Sequence, residues 1–122
     1  MTTQEVANKY VKMCRAGQMD NIQEALYADN AVSHEMEGVE GVPPRVEGRE
    51  ALKAKGQHWE QAVEAFHGVE VDGPVVAADH FSCALKMDIT YKGQERKKDE
   101  EIGTFQVKDG KIVAERFFYP AS

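Results

Sequence analysis

The stretch HFSCALKMDITY, residues 80–91, alternates between large apolar side chains and small or polar ones. The apolar parity consists of Phe81, Cys83, Leu85, Met87, Ile89 and Tyr91. The other parity consists of His80, Ser82, Ala84, Lys86, Asp88 and Thr90. A repeat of two residues is typical of a strand with one buried face and one face toward solvent. The stretch therefore predicts a long, half-buried β-strand.

Strands are also predicted on both sides of this stretch. An earlier strand covers roughly residues 67–77, with a bulge or break at Gly73-Pro74 because proline cannot donate to a strand ladder. A second long strand runs over about 95–107, and a last one over 111–119. Between these two, Asp109-Gly110 is a strong hairpin signal. The second half of the chain is therefore predicted to form four strands.

The first half of the chain has helical periodicity. Over residues 3–17 the apolar positions recur at spacings of three and four, and Gly17 marks the helix end. Asp20 is the predicted N-cap of a second, short helix. Residues 31–36 are predicted as a short strand. The glycines and prolines of residues 37–48 predict a loop that is long enough to form a lid or a pocket rim.

A third helix is predicted to begin at residues 48–50. Its apolar stripe consists of Leu52, Trp59, Ala62, Val63 and Phe66. The pattern places Trp59, the only tryptophan, in the core against the sheet. Gly56 lies within the helix at a cost of about 1 kcal/mol relative to alanine. We interpret it as a point of close packing between helix and sheet.

The order of the predicted elements defines the fold class. Helices grouped before a largely antiparallel sheet are typical of α+β proteins. A strongly curved sheet of long strands can wrap around a packed helix and leave a cone with one open end. At 122 residues the chain has room for one core. We therefore predict a single domain over 1–122, with three helices packed in a strongly curved antiparallel or mixed sheet.

Composition narrows the classes of partner. With 15 Lys plus Arg against 21 Asp plus Glu, the formal charge is −6, which argues against nucleic-acid binding. No apolar run approaches a membrane span, and the N-terminal residues lack the pattern of a signal peptide. Cys14 and Cys83 lie far apart and resemble neither a disulfide framework nor a metal motif. We expect a cytoplasmic protein that holds no metal and needs no cofactor.

Three strings carry a resemblance to a known family: YADNAV at 27–32, VEGREAL at 46–52 and VKDGKI at 107–112, the last followed by Arg116 and Phe117. Together with the element order, they resemble the nuclear transport factor 2-like superfamily, and within it the SnoaL-like and ketosteroid isomerase-like proteins. The resemblance implies a cystatin-like α+β roll with a cone-shaped pocket. It is specific for the fold, whereas the superfamily includes isomerases, cyclases, dehydratases, hydrolases and proteins without chemistry.

The resemblance also implies catalytic positions. The isomerase branch, which includes ketosteroid isomerase, uses a tyrosine on the first helix as oxyanion donor and a carboxylate after the second helix as base. Tyr10 matches the tyrosine and Glu35 matches the base. The third position, a protonated acid, falls on or near Gly103, which has no side chain to donate. By strand parity Glu101 faces the interior, and the resemblance implies that Glu115 lines the pocket as an acid on its inner wall. Glu35 with Glu115 would suit acid/base chemistry.

The pocket wall and the core are largely the same surface in such a fold. The predicted ligand-contacting residues are Trp59, Phe66, Met87, Phe105, Glu115, Phe117 and Tyr119. Each apolar member is first of all a core residue, and Tyr10 is also compatible with a structural role in the core. Glu115 has the alternative of pairing with neighbours of Arg116 or with Arg49 at the pocket edge, and His34 is predicted at the surface or at an interface.

Two classes of function remain open from the sequence. The first is a cofactor-free proton-transfer enzyme of the isomerase or cyclase type, which binds a small, partly apolar organic ligand. The second is a ligand-binding or dimerisation module without chemistry. In either case we expect a homodimer, because Ala84, Ile102, Thr104 and Phe118 leave apolar area on the outer face of the sheet.

Overall fold

The computed structural model describes residues 1–39 and 41–120. Its helices are α1 (Thr3–Arg15), α2 (Ile22–Leu26) and α3 (Arg49–Ala62). Its strands are β1 (Tyr27–His34), β2 (Arg45–Glu47), β3 (Val63–Ala77), β4 (His80–Tyr91), β5 (Lys97–Lys108) and β6 (Lys111–Phe118). The predicted order of helices and strands is confirmed, with β2 as an addition inside the predicted loop.

The six strands form one sheet in the order β2-β1-β6-β5-β4-β3. β1 runs parallel to β6, and the other neighbouring pairs are antiparallel. The sheet is mixed, curved and not closed, and the three helices pack against it. The predicted α+β class is therefore confirmed. The hairpin at Asp109-Gly110 joins β5 to β6, and the ladder between β3 and β4 shifts register between Asp72 and Val75, where the break was predicted.

The core lies between the sheet and α1. The apolar parity of residues 81–89 is buried throughout, which confirms the alternation in β4. From α1, the buried side chains are Val6, Ala7, Tyr10, Val11 and Cys14. A capping box of Thr2 and Glu5 begins this helix, as the two side chains bond each other's backbone N–H groups. Among the described residues, no helix is long and apolar enough to cross a bilayer.

Two boundary predictions were wrong. A 3₁₀ turn over Met19–Asn21 precedes α2, so Asp20 lies inside that turn and does not cap the helix. Asn21 occupies the cap position without a side-chain bond. The first strand begins at Tyr27 rather than at residue 31, because its parallel pairing with β6 extends it toward α2.

The apolar stripe predicted for α3 is also corrected. The helix ends at Ala62, and Val63 and Phe66 belong to β3. Of the predicted stripe only Leu52 is buried; Trp59 is half-buried and Phe66 is 40% exposed. Val63 is β-branched and Phe66 is aromatic, and both residue types favour strands over helices. Because the two lie three positions apart, they also fit a helical stripe, which hid the change from helix to strand. A Cβ on Gly56 would meet nothing within 4 Å, so this glycine does not serve close packing.

Candidate functional site

A polar network lies where α3 crosses the ends of β1 and β6. Along β1, Tyr27, Ala31 and Ser33 are buried on one parity, and Glu35 continues that parity just after the strand. The Glu35 backbone N–H donates to the carbonyl of Pro44 at 2.9 Å, which holds the chain after β1 against the segment before β2. Glu35 is therefore directed toward α3, where Lys55 lies opposite it.

Lys55 is the centre of the network. Its ammonium pairs with the Glu35 carboxylate, donates to the Ser33 hydroxyl at 2.7 Å and lies 3.6 Å from Glu115 Oε2. It also lies 5.2 Å from the centre of the Phe117 ring, within the range of a cation–π contact. The Lys55 side chain is 24% exposed and that of Glu35 is 9% exposed. The pair is therefore partly desolvated, yet it reaches the surface through Lys55.

Glu115 supports Lys55 from inside the protein. One carboxylate oxygen accepts from the Tyr27 hydroxyl, and the other accepts from the Ser33 hydroxyl at 2.6 Å. Burial raises the pKa of Glu115, while Lys55 and the two hydroxyl donors oppose that rise. The alternative pairing with Arg49 is not present, since Arg49 contacts Glu24 and Asp29. The carboxyl group of Glu115 is thus engaged by protein groups, with the residue 5% exposed.

Tyr119 covers Glu35 from the end of β6. Its hydroxyl donates to Glu35 Oε2 at 2.8 Å, while Lys55 engages Oε1. Burial, the hydrogen bond to Glu35 and the charge of that carboxylate raise the pKa of Tyr119 well above its ordinary value. Tyr119 is therefore a neutral hydrogen-bond donor to Glu35 at physiological pH.

A second group of polar residues continues along β4 and β5. The Trp59 indole N–H donates to the Tyr91 hydroxyl at 3.1 Å, and that hydroxyl donates to Asp99 at 2.8 Å. Burial and the bond to Asp99 raise the pKa of Tyr91 to about 12. These contacts fix the end of α3 against the sheet.

Glu101 lies on the same strand as Asp99, two residues further along. Burial and, after it, the charges of Glu35, Asp99 and Glu115 together raise the pKa of Glu101 to about 7, against the opposing effect of Lys55. The sequence predicted that Glu101 faces the interior, and its half-buried state agrees with that orientation. Near neutral pH this carboxyl group is present in both protonation states.

Tyr10 is packed within the core of the protein. Its ring centre lies 4.5 Å from that of Phe105 and 5.7 Å from that of Phe81. Phe105 in turn contacts Phe117, which lies beside Lys55. Burial raises the pKa of Tyr10 well above its ordinary value. Two aromatic rings therefore link Tyr10 to the Lys55 network, and none of the described hydrogen bonds joins its hydroxyl to Glu35.

Gly103 stands where the family resemblance implies a protonated acid, and the aromatic rings around it leave no space for a side chain. A Cβ built on it would lie 2.8 Å from Cζ of Phe105 and 3.2 Å from Cε1 of Phe117. Real Cβ atoms essentially never come within 3.0 Å of another atom, so a side chain would have to displace the Phe105 ring and would press tightly on that of Phe117. The two rings fill the space that a third acid would need.

The predicted ligand-contacting residues are distributed over different environments. Phe105 and Met87 are buried, whereas Phe117 and Tyr119 are half-buried beside Lys55 and Glu35. Trp59 and Phe66 line a surface groove of about 320 Å³ together with Met19 and Val63. A second depression, of about 500 Å³, lies between α1 and Pro74. Neither depression includes Glu35 or Tyr10.

The histidines and cysteines are separate from the network. His34 is half-buried rather than fully at the surface, and burial together with Arg45 and Arg116 lowers its pKa. Cys14 and Cys83 are free and buried. Within residues 1–39 and 41–120, no three His, Cys, Asp or Glu side chains are grouped to hold a metal ion.

Sequence reasoning missed three members of the network, namely Tyr27, Ser33 and Lys55. Two of them had a usable signal, because Tyr27 and Ser33 share the strand parity of Glu35. Lys55 follows buried Leu52 by three residues, a spacing that places both on neighbouring positions of one helix face. A lysine on a helix is so often solvated that this spacing alone did not mark it.

Comparison with known proteins identifies the family. The sequence matches the pattern of the SnoaL-like domain over residues 1–119. The chain belongs to the SnoaL-like family. A search of curated proteins finds no match.

Solved structures agree with this membership. A Mesorhizobium loti protein described as a candidate SnoaL-like polyketide cyclase is 38% identical with a TM-score of 0.89, covering 98% of this chain and 100% of that one. A Bacillus subtilis protein described as a candidate isomerase is 20% identical with a TM-score of 0.73, covering 98% and 90%. An NTF2-like protein of unknown function from Burkholderia pseudomallei is 9% identical with a TM-score of 0.82, covering 98% and 91%. The last two likenesses concern the fold alone.

Proposed function

We propose that this SnoaL-like protein binds a small, partly apolar organic molecule beside Glu35 and transfers a proton next to a carbonyl group of that molecule. Glu35 is the base, and the half-buried rings of Phe117 and Tyr119 supply the apolar contact. One observation carries the proposal: a largely buried carboxylate is held in place by Lys55 and Tyr119 at a point that remains partly open to solvent. A positioned base next to an apolar wall is what carbon acid deprotonation requires.

Tyr10 has a different role in this proposal from the one that the family resemblance implies. Tyr10 is buried and its ring packs against that of Phe105, so in this proposal Tyr10 supports the aromatic wall rather than contacting the ligand. Tyr119 is the hydroxyl nearest to the base. Proton transfer between a carboxylate and a carbon acid needs no cofactor, and the proposal includes none.

The Mesorhizobium loti relative supports this class of reaction. It is described as a candidate polyketide cyclase, and its 38% identity spans both chains. Ring closure of a polyketide and isomerisation of a ketone both begin with removal of a proton beside a carbonyl group. The same first step is therefore proposed here, without assignment of the product.

Deuterium exchange tests the proposal directly. In heavy water, the protein should accelerate exchange of the acidic protons of 2-tetralone, an enolisable aryl ketone, as followed by proton NMR. Glu35→Gln keeps the shape of the side chain and removes the base, so the acceleration should fall about 100-fold or more. Glu37→Gln, an exposed carboxylate two residues further on, is the matched control and should exchange the ketone like the parent. Equal rates for Glu35→Gln and the parent would show that Glu35 is not the base.

A binding module without chemistry is the second candidate. The observation that favours it is that both oxygens of Glu35 already have protein partners, Lys55 on Oε1 and Tyr119 on Oε2. In that case the parent protein accelerates no exchange with any ketone, although it binds the same molecules. Glu35→Gln would then change affinity without any loss of turnover.

A homodimer in the cytoplasm is part of the proposal. Ile102 and Phe118 are cross-strand partners on the outer face of the sheet and are 50% and 53% exposed. Pairing of this face between two copies would cover them in a symmetric interface. The location rests on the two unpaired cysteines, which are typical of a reducing compartment.

A further inference from the structure

We infer that Lys55 is a second catalytic group of this site: its ammonium becomes the partner of the oxyanion that forms on a carbonyl ligand when Glu35 takes up the proton. This inference rests on the proposed function and adds to it the group that stabilises the intermediate. Lys55 was not among the residues predicted from the sequence.

Position is the first argument. The Lys55 ammonium pairs directly with the proposed base, so a carbonyl group next to the carbon that Glu35 deprotonates can place its oxygen beside Lys55. The side chain keeps 24% of its surface exposed, in contrast to the buried Glu115 behind it. Lys55 is therefore reachable from the same side as Glu35.

Charge balance is the second argument. When the C–H bond beside the carbonyl breaks, its electron pair forms a C=C bond, the carbonyl π pair moves to oxygen, and the proton goes to a Glu35 oxygen. Before this step Lys55 faces a carboxylate, and after it Lys55 faces a neutral acid and an enolate. The total charge around Lys55 does not change, so the step costs little reorganisation in a partly desolvated site.

Lys55 suits this role better than the hydroxyls of the network. Tyr27 donates its one O–H to the buried Glu115 and Tyr119 donates its one O–H to Glu35, whereas the ammonium has three N–H donors and a positive charge. Gly103 has no side chain, and the rings around it leave no space for one. Among the ion pairs of the described residues, Lys55 provides the cation that meets Glu35.

Tyr27, Ser33 and Glu115 are positioning residues for Lys55. The two hydroxyls donate to Glu115, whose second oxygen lies 3.6 Å from the Lys55 ammonium. Ser33 also accepts from Lys55 at 2.7 Å. These buried contacts persist when Glu35 loses its charge, so Lys55 stays in place while its partner changes. A preorganised cation is more effective than one that must reorient during the reaction.

The same arrangement limits the substrate class to neutral carbonyl compounds. Glu35, Glu115 and the nearby Glu101 form a group of three carboxyl groups with one lysine. A ligand that carries a permanent negative charge would be repelled from this group. The negative charge on the ligand is favourable only after Glu35 has been neutralised.

Binding of 4-nitrophenol tests the inference without turnover, because its anion resembles an enolate and absorbs at a longer wavelength than the neutral form. Glu35→Gln imitates the protonated base. It should therefore bind the 4-nitrophenolate anion at least about tenfold more tightly than the parent does. In the double variant Glu35→Gln/Lys55→Met this gain should disappear. The matched control is Glu35→Gln/Lys53→Met, which removes a surface lysine of the same helix and should keep the gain.

The outcomes separate the inference from the proposed function. 4-Nitrotoluene, a neutral analogue of similar shape, reports ligand binding at the site, and Trp59 fluorescence reports that each variant is folded. If the variants bind 4-nitrotoluene but Lys55→Met leaves the phenolate gain intact, the role of Lys55 is wrong while the proposed binding site stands. If neither compound binds to the parent or to Glu35→Gln, both the site and the role of Lys55 are wrong.

Discussion

Glu101 makes the stability of the fold depend on pH. Its pKa rises from 4.5 to about 7 in the folded protein, mainly because of burial and then because of Glu35, Asp99 and Glu115. The folded state therefore binds more protons than the unfolded state between these values, and the free energy of unfolding falls as the pH rises through that interval. Its contribution is fully present below about pH 4.5 and is lost above about pH 7.

The predicted loss is roughly 1–3 kcal/mol between about pH 5 and pH 8, measured by urea unfolding. Glu101→Gln should remove most of this loss, because glutamine carries no proton equilibrium. Glu100→Gln, the exposed neighbour on the opposite face, should retain the pH dependence of the parent. A Glu101→Gln protein with the same pH dependence as the parent would place the titrating group elsewhere.

The residues of the site were only partly accessible from the sequence. Glu35 was predicted from its position after YADNAV, and Phe117 and Tyr119 from their match to positions that line the pocket in the family. Lys55 was missed because helical periodicity predicts which face is apolar, not which polar residue points at a partner from another element. The bond between Lys55 and Glu35 joins residues 20 positions apart across a loop, and only the folded chain brings them together.

At the scale of elements, Trp59 illustrates the difference between a core residue and a bridging one. Its indole ring contacts Phe66 edge-on, at 6.4 Å between ring centres, and its N–H donates to Tyr91. Trp59→Phe keeps the ring contact and loses the hydrogen bond, so we expect a destabilisation of about 0.5–1.5 kcal/mol. Far-UV circular dichroism during urea unfolding measures it, since the variant lacks tryptophan fluorescence.

Tyr91→Phe provides the matched partner for a double-mutant cycle. If the Trp59–Tyr91 bond is the main effect, the double variant loses less than the sum of the two single variants. A loss of about 3–5 kcal/mol for Trp59→Phe would instead indicate a fully packed core position. That result would contradict the half-buried environment of this side chain.

Long regular elements were predictable, and their ends were not. The strict alternation in residues 80–91 corresponds to β4 because one face of that strand is buried along its length. The junction of α3 and β3 was missed because Val63 and Phe66 fit both a helical stripe and a strand. The position of β2 was missed because three residues between prolines and a glycine carry no periodicity, and pairing with β1 alone defines the strand.

For the whole molecule, we predict a homodimer formed through the outer face of the sheet. Phe118→Lys places a charge on that face, and a symmetric interface would bury this charge once in each copy. Light scattering should give twice the mass of one chain for the parent and the mass of one chain for the variant. Gln61→Lys, an exposed substitution on α3 with the same change in charge, should remain dimeric. A parent protein that is monomeric at all concentrations would contradict the prediction.

The overall topology followed from the element order, but one feature needed the structure. Four antiparallel strands after the helices were expected, whereas the parallel pairing of β1 with β6 joins the two ends of the chain. This pairing brings Ser33 opposite Glu115 and so builds the wall of the site. Long-range pairing of this kind leaves no local signal in the sequence, because each strand alone has the same periodicity in either direction.

A crystal structure of the protein with 2-tetralone bound tests the roles of Glu35 and Lys55 together. The acidic carbon of the ketone should lie within hydrogen-bond reach of a Glu35 oxygen, and the ketone oxygen should face Lys55. The aromatic ring of the ligand should rest on Phe117 and Tyr119. A ketone bound only in the groove of Trp59 and Phe66, away from Glu35 and Lys55, would contradict the central claim.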